Sequence, residues 1–149
     1  MGVMGLILPA EGGCQCGKNR YRIIGEPVWL AVCHCNDCKH QSGSAFGMSL
    51  RVAKADVEVT RGKLRLWTTR SDSGNPKICY FCGTCGTRLW HEPAGYGFLH
   101  IKPGTLDDPS QLVPRFEGWT KRKVGWLTIE GPEASFETQP ARGQPKSGK

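Results

Sequence analysis

The sequence predicts an all-β fold of short antiparallel strands held by zinc-binding knuckles. Three observations carry this reading. The eight cysteines fall into three tight groups, Cys14-x-Cys16, Cys33-His34-Cys35-x2-Cys38 and Cys82-x2-Cys85, with Cys79 apart. Glycine (20) and proline (10) are abundant among 149 residues, which suits turns better than helices. Between the turn formers, apolar and polar residues alternate over short runs, the period of a strand with one buried face.

From the amino terminus, residues 1–10 are apolar but lack a basic flank and soon reach Pro9 and Glu11, so they read as a short leading segment and not as a signal peptide. Alternation places strands at 20–24, 28–33, 45–51, 57–60, 64–68, 77–81, 88–91, 98–102, 115–119 and 124–129. Arg61-Gly62 makes a tight turn, and 71–76 is a looser loop of turn formers. The helical turn expected within the cysteine region lies at 36–41, with Asn36 as its cap and Cys38 still reaching the metal of Cys33 and Cys35. With no repeat or dividing linker, residues 11–137 read as one domain, and a 38% hydrophobic content is enough for a core. Residues 138–149 are expected to form a disordered basic tail. Arg142, Lys146 and Lys149 lie there, and 141–149 holds no large apolar side chain.

Cysteine spacing points to metal. Cys-x2-Cys lets one turn offer two thiolates to a tetrahedral ion, and Cys-x-Cys on a strand turns both sulfurs to one face. Four plus three ligands suggest two unlike zincs. A site closed by four thiolates is structural, whereas three protein ligands leave a position for water or substrate. The alternative, a disulfide framework, fits poorly, because partners two or three residues apart are badly placed for S–S bonds with one another. The chain therefore reads as a cytoplasmic metalloprotein. No apolar run approaches the ~20 residues of a membrane span. The net charge of +7 suits an anionic ligand. It is spread along the chain, and the compact run Lys121-Arg122-Lys123 reads as a solvated hairpin end, which disfavours nucleic acid.

Several motifs follow one another in a fixed order: Gly13-Cys14-x-Cys16-Gly17, the Cys33 to Cys38 core with Ser42-Gly43, Phe81-Cys82-x2-Cys85-Gly86-Thr87, Gly104-Thr105-Leu106-Asp107-Asp108-Pro109, and Trp126. In this the chain resembles the glutathione-dependent formaldehyde-activating enzymes and their relatives, including the centromere protein V group. The resemblance spans roughly residues 11–137 and implies an Mss4-like β fold. It makes Cys14, Cys16, Cys82 and Cys85 the ligands of a structural zinc, and Cys33, Cys35 and Cys38 those of a second, open and catalytic zinc. The implied partners are a small thiol, glutathione, and a small aldehyde, formaldehyde. Their adduct is S-hydroxymethylglutathione, which makes the activity that of a carbon-sulfur lyase. The chain departs from the pattern at two places. His40 follows Lys39 where relatives commonly carry a second strong base, and Glu117 stands where relatives often have histidine, which would set a negative charge at the pocket.

The chemistry of a three-thiolate site can be argued independently. Three thiolates make zinc a weak Lewis acid, so a thiol suits the fourth position better than a hydrolytic water. A free thiol titrates near ~8.5, and coordination would keep it deprotonated for attack on an aldehyde. Cys79 reads as a small buried hydrophobe on strand 77–81, the alternative being a fourth ligand that closes the second site. His34 should point away from the metal into a core hydrogen bond, and His91 and His100 read as sheet residues. Trp29, Trp67, Trp90, Trp119 and Trp126 read mostly as core, with Phe46, Phe81 or Trp119 as candidate pocket walls. Arg51, Lys39 and Arg20 are the first candidates to meet a carboxylate-bearing ligand. Two non-enzymatic classes compete, a zinc-stabilised nucleic-acid-binding module and an exchange-factor-like scaffold whose second zinc is closed.

Overall fold

The computed structural model describes residues 5–71 and 74–139. Its strands are β1 (Ala10–Gly13), β2 (Arg20–Ile23), β3 (Trp29–Cys33), β4 (Gly47–Ala53), β5 (Val57–Arg61), β6 (Arg65–Arg70), β7 (Pro76–Phe81), β8 (Arg88–Pro93), β9 (Phe98–Ile101), β10 (Phe116–Gly118) and β11 (Ala134–Ser135). Helix α1 (Asn36–Ser42) follows β3. The strands form a small sheet, β1-β2-β5, and a large one ordered β11-β10-β3-β4-β9-β8-β7-β6. The fold is all-β, as expected. Pairing is antiparallel except where β10 lies parallel to β3 and to β11. Parallel neighbours need a crossover and cannot be joined by a hairpin.

The main core lies between the small sheet and one face of the large one. In β2, Tyr21 and Ile23 point inward while Arg20 and Arg22 remain outside, and they meet Leu30, Leu50, Val52, Trp90 and Ile101 of the large sheet. Each such fully buried apolar side chain contributes about 1.5–3 kcal/mol of transfer free energy. The Tyr21 hydroxyl donates to Thr105 Oγ1 at 2.7 Å, and Thr105 in turn donates to the Lys102 carbonyl. A smaller cluster of Trp29, Ala31, Phe116 and Phe136 covers the other face beside β10, which is why β3 is buried along nearly its whole length.

Several expectations need correction. Strand β1 is present although its two glycines hide the alternation. Gly12 is needed there because a Cβ would lie 2.5 Å from the Thr105 carbonyl oxygen. The expected strand at 124–129 does not form. The chain turns at Gly125 and Trp126, Trp126 is 77% exposed, and both edges of β10 are already taken by β3 and by the later β11. Lys121 and Arg122 accordingly sit in a 3-10 turn (Thr120–Arg122) and not at a hairpin end. Among the tryptophans, Trp29 and Trp90 are core residues, but Trp67 is 55% exposed on the edge strand β6. Trp119 leaves β10 with φ of 57°. At the carboxyl end, the Thr138 carbonyl accepts from the Trp119 amide. Positions 140–149 of the expected tail lie outside the described residues. No helix among the described residues is long and apolar enough to cross a membrane.

The parallel contact of β10 with β3 is fastened by a buried polar network. His34 Nε2 meets Glu117 Oε2 at 2.8 Å, and the same carboxylate receives Lys123 Nζ at 3.1 Å and the Ser135 hydroxyl. Burial works against the Glu117 charge, but hydrogen bonds from His34 and Lys123 outweigh it and hold its carboxyl below the usual range. The expected pocket charge at Glu117 is therefore neutralised inside the fold. Glu117→Ala should cost about 3 kcal/mol in urea unfolding of the zinc-loaded protein, because it leaves His34 and Lys123 without their acceptor. Glu117→Gln should cost less than half of that. Equal losses would mean that the network contributes only packing.

Candidate metal centres

The two cysteine groups are assembled as spacing suggested. Cys14, Cys16, Cys82 and Cys85 bring four sulfurs together, and Cys33, Cys35 and Cys38 bring three, with all sulfurs in each group within 4.8 Å of one another. Tetrahedral zinc with Zn–S near 2.3 Å requires sulfurs about 3.8 Å apart. Cys14 and Cys16 are 3.6 Å apart, and Cys16 and Cys82 are 3.8 Å apart. The donor set and its spacing fit the ion, and each group can hold a metal.

In the four-sulfur group, β1 ends at Gly13 and delivers Cys14, while the turn after β7 delivers Cys82 and Cys85. Amide donors surround the sulfurs: Asn19 N reaches Cys14 Sγ at 3.2 Å, and Thr84 N reaches Cys82 Sγ at 3.3 Å. Thr87 is the main reason that the Cys85 thiol falls to about 5, through hydrogen bonds from its hydroxyl and backbone. Such donors ease the accumulation of thiolate charge. The group joins the small sheet to the large one across 66 residues of chain.

The three-sulfur group sits where β3 enters α1. Cys33 ends the strand, Cys35 is the helix cap, and its sulfur accepts from Cys38 N at 3.3 Å. The cap is thus Cys35 in place of the expected Asn36. Gly43, at φ of 64°, closes the helix with its amide on the Lys39 carbonyl. Gly47, the cross-strand partner of Cys33, lets the helix approach, since a Cβ there would lie 2.9 Å from Cys38 Cβ. Hydrogen bonds from Cys33 and Cys38 drive the Cys35 thiol far down, and the same sharing pushes Cys33 up. For Cys38, Cys33 acts downward, but Cys35 and burial prevail and raise it to about 11. Without a metal the three sulfurs must share protons, and a cation is what would let all three ionise.

The family model for the glutathione-dependent formaldehyde-activating enzyme matches residues 9–122. The chain belongs to this family. A Halomonas elongata protein provisionally named a glutathione-dependent formaldehyde-activating enzyme is 26% identical over 130 residues, covering 83% of this chain and 82% of the relative. A crystal structure of a Rhodobacter sphaeroides protein shares the fold, with TM-score 0.52 and 20% identity over 65% of this chain and 87% of that one.

Within this glutathione-dependent formaldehyde-activating fold, Cys79 belongs to neither sulfur group. It is 1% exposed on β7, between its cross-strand partners Trp67 and His91. His34 is fully buried on Glu117, and His40 is exposed with Nδ1 at 2.9 Å from the Asn36 carbonyl. Of the cations first suggested for a ligand, Arg20 is engaged by Asp107 and Lys39 donates to the Arg122 carbonyl, whereas Arg51 has no carboxylate partner among the described residues. Sequence reading missed Lys102 and Arg88. Arg88 Nη2 lies 3.4 Å from Gln41 Oε1, and Gln41 Nε2 lies 3.8 Å from Cys38 Sγ, which sets Arg88 beside the three-sulfur group. Alternation on strand 98–102 did place Lys102 on the face of His100, the signal by which it could have been found.

Gly47→Ala should push α1 away and lower zinc content by one equivalent per chain while the fold persists, as read by metal analysis beside circular dichroism. Cys82→Ser should remove the other equivalent and unfold the domain, because metal binding there is folding free energy. Full zinc content in Gly47→Ala would show that the helix has room to spare.

Proposed function

We propose that the chain is a zinc-dependent carbon-sulfur lyase, which forms or cleaves the adduct of a small thiol with formaldehyde, S-hydroxymethylglutathione being the adduct the family description suggests. One observation carries this reading: one group offers a metal four sulfurs, enough to close a tetrahedron, while the other, built from Cys33, Cys35 and Cys38, offers three among the described residues. In this reading Cys14, Cys16, Cys82 and Cys85 hold a structural zinc. The family description, which names both glutathione and formaldehyde, supports the substrates.

A zinc bound by the three cysteines would supply the positive charge that keeps a fourth sulfur deprotonated near neutral pH. The remaining work falls to the chain itself. The Cys38 amide and the Gln41 side chain donate to Cys35 Sγ and Cys38 Sγ, orienting two sulfurs and drawing charge from them. Buried His34, tied to Glu117, fixes the strand end that carries Cys33 and Cys35. Lys102 lies within electrostatic reach of Cys38 and offsets the surplus negative charge of three thiolates. In the reaction the thiol gives its proton to water, the thiolate lone pair forms the C–S bond, the carbonyl pair moves to oxygen, and that oxygen takes a proton back from water. Reversal breaks the same bond, and no electron is gained or lost.

Exchange spectroscopy on glutathione and formaldehyde should show adduct interconversion faster than the spontaneous rate with zinc-loaded protein, and no acceleration with Cys35→Ser. Identical rates for the two proteins across glutathione and a panel of small thiols would remove the lyase reading.

A further inference from the structure

The large sheet has a second face, opposite the main core, and a row of directly paired residues crosses it: Trp67, Cys79, His91, His100, Arg51 and Trp29. Directly paired residues of antiparallel strands share a face. Lys77 and Lys102, two residues along β7 and beyond β9, belong to the same face. Arg88 joins them, since Lys102 and His91 both feel its charge. Four cations therefore share this face with two imidazoles. None of the four has a carboxylate partner among the described residues, where the salt bridges involve other cations.

Arg51 is the most prepared of these groups. Its guanidinium carbon lies 4.1 Å from the centre of the Phe98 ring and 5.6 Å from that of Trp29, so its fork is held by stacking and not by an acid. Its Nε is buried without an acceptor, as are Arg88 Nε and Trp29 Nε1. Lys102 Nζ sits 3.0 Å from His91 Nδ1, and the His91 and His100 rings stack at 4.8 Å. Burial lowers His100 to about 3 and Lys102 to about 8, with neighbouring cations adding to both, so the imidazoles stay neutral while the cations crowd one another. Like charges gathered without a carboxylate partner, with cysteine sulfur near Lys102 as the counter-charge and with donors left buried and unpaired, are costly in a fold that gains nothing from them.

We propose that Arg51, Lys102 and Arg88, supported by Lys77, form a carboxylate-binding strip that selects acidic peptide-like thiols for the three-cysteine site. This rests on the lyase reading for the identity of that site. Geometry fits the scale: Arg51 pairs with Trp29, four residues back along β3 from Cys33, a span of about 13 Å at strand rise. A tripeptide of about 10 Å, met by an arginine side chain, covers that distance. Arg88, through Gln41, flanks the sulfurs themselves, and Arg51 marks the far end. A thiol without carboxylates would reach the cysteines but gain nothing from the strip.

The test uses S-methylglutathione, whose sulfur cannot ionise, and its dimethyl ester, each titrated into zinc-loaded full-length protein and followed by amide shifts. The acid should shift amides of β4 and β9 and bind about tenfold more tightly than the ester, as expected for charge-assisted hydrogen bonds. Arg51→Gln should abolish that difference, Arg51→Lys should restore part of it, and exposed Lys63→Gln should preserve it. In exchange assays Arg51→Gln should raise KM for glutathione about tenfold and leave 2-mercaptoethanol unaffected. Equal binding of acid and ester to the unaltered protein overturns the strip whatever the variants do, as does an equal effect of Arg51→Gln on both thiols. If S-methylglutathione binds in the charge-dependent way but no thiol is accelerated, the strip stands and the lyase reading falls. If both thiols are accelerated alike by protein and variant, the reverse holds.

Discussion

Seven sulfurs in two groups, each packed within 4.8 Å, set the terms for the rest of the structure. Thiolates that close repel one another strongly in a half-buried setting, so the groups are stable only when a cation or shared protons balance them. In both groups backbone amides point at sulfur, an arrangement that tolerates negative charge and adds little to a neutral thiol. The four-sulfur group is also where the two sheets are joined, because Cys14 follows β1 of the small sheet and Cys82 follows β7 of the large one. Cys14 and Cys82 belong to the same buried cluster as Tyr21, Ile23, Leu50 and Ile101.

The three-sulfur group depends on a different kind of support. Its position is set by a strand end, a seven-residue helix and a glycine that permits their contact. Beneath it, the His34 and Glu117 pair holds β10 against β3, so the departure at Glu117 is a structural pairing with His34 and Lys123 and no obstacle to an anionic ligand. Glu117 and His34 complement each other, and a substitution at one is to be understood through the other.

Much of this was legible in the residues. Cysteine spacing grouped the sulfurs, and alternation located most strands of the large sheet to within two residues, because those strands carry one clean apolar face. What stayed hidden had physical reasons. Glycines at Gly12 and Gly13 remove the side chains on which alternation depends, so β1 was invisible. Residues 124–129 have a strand pattern but find no free side of β10 to pair with, since β3 and β11 occupy both. The charge-bearing face was hidden because Arg51, Lys77 and Arg88 lie on three strands, Lys102 just beyond a fourth, and they come together only through register. Cys79 was readable as a packed strand residue from its neighbours alone.

The central claim is that one group closes its metal with four sulfurs and the other keeps a position for a thiol. X-ray absorption at the zinc edge tests this most directly, comparing the protein carrying two zincs before and after a small thiol is added. The account predicts an average of about 3.5 sulfurs and 0.5 oxygen or nitrogen per zinc that becomes about 4 sulfurs with thiol present. About 4 sulfurs per zinc before any thiol is added, unchanged afterwards, would contradict it.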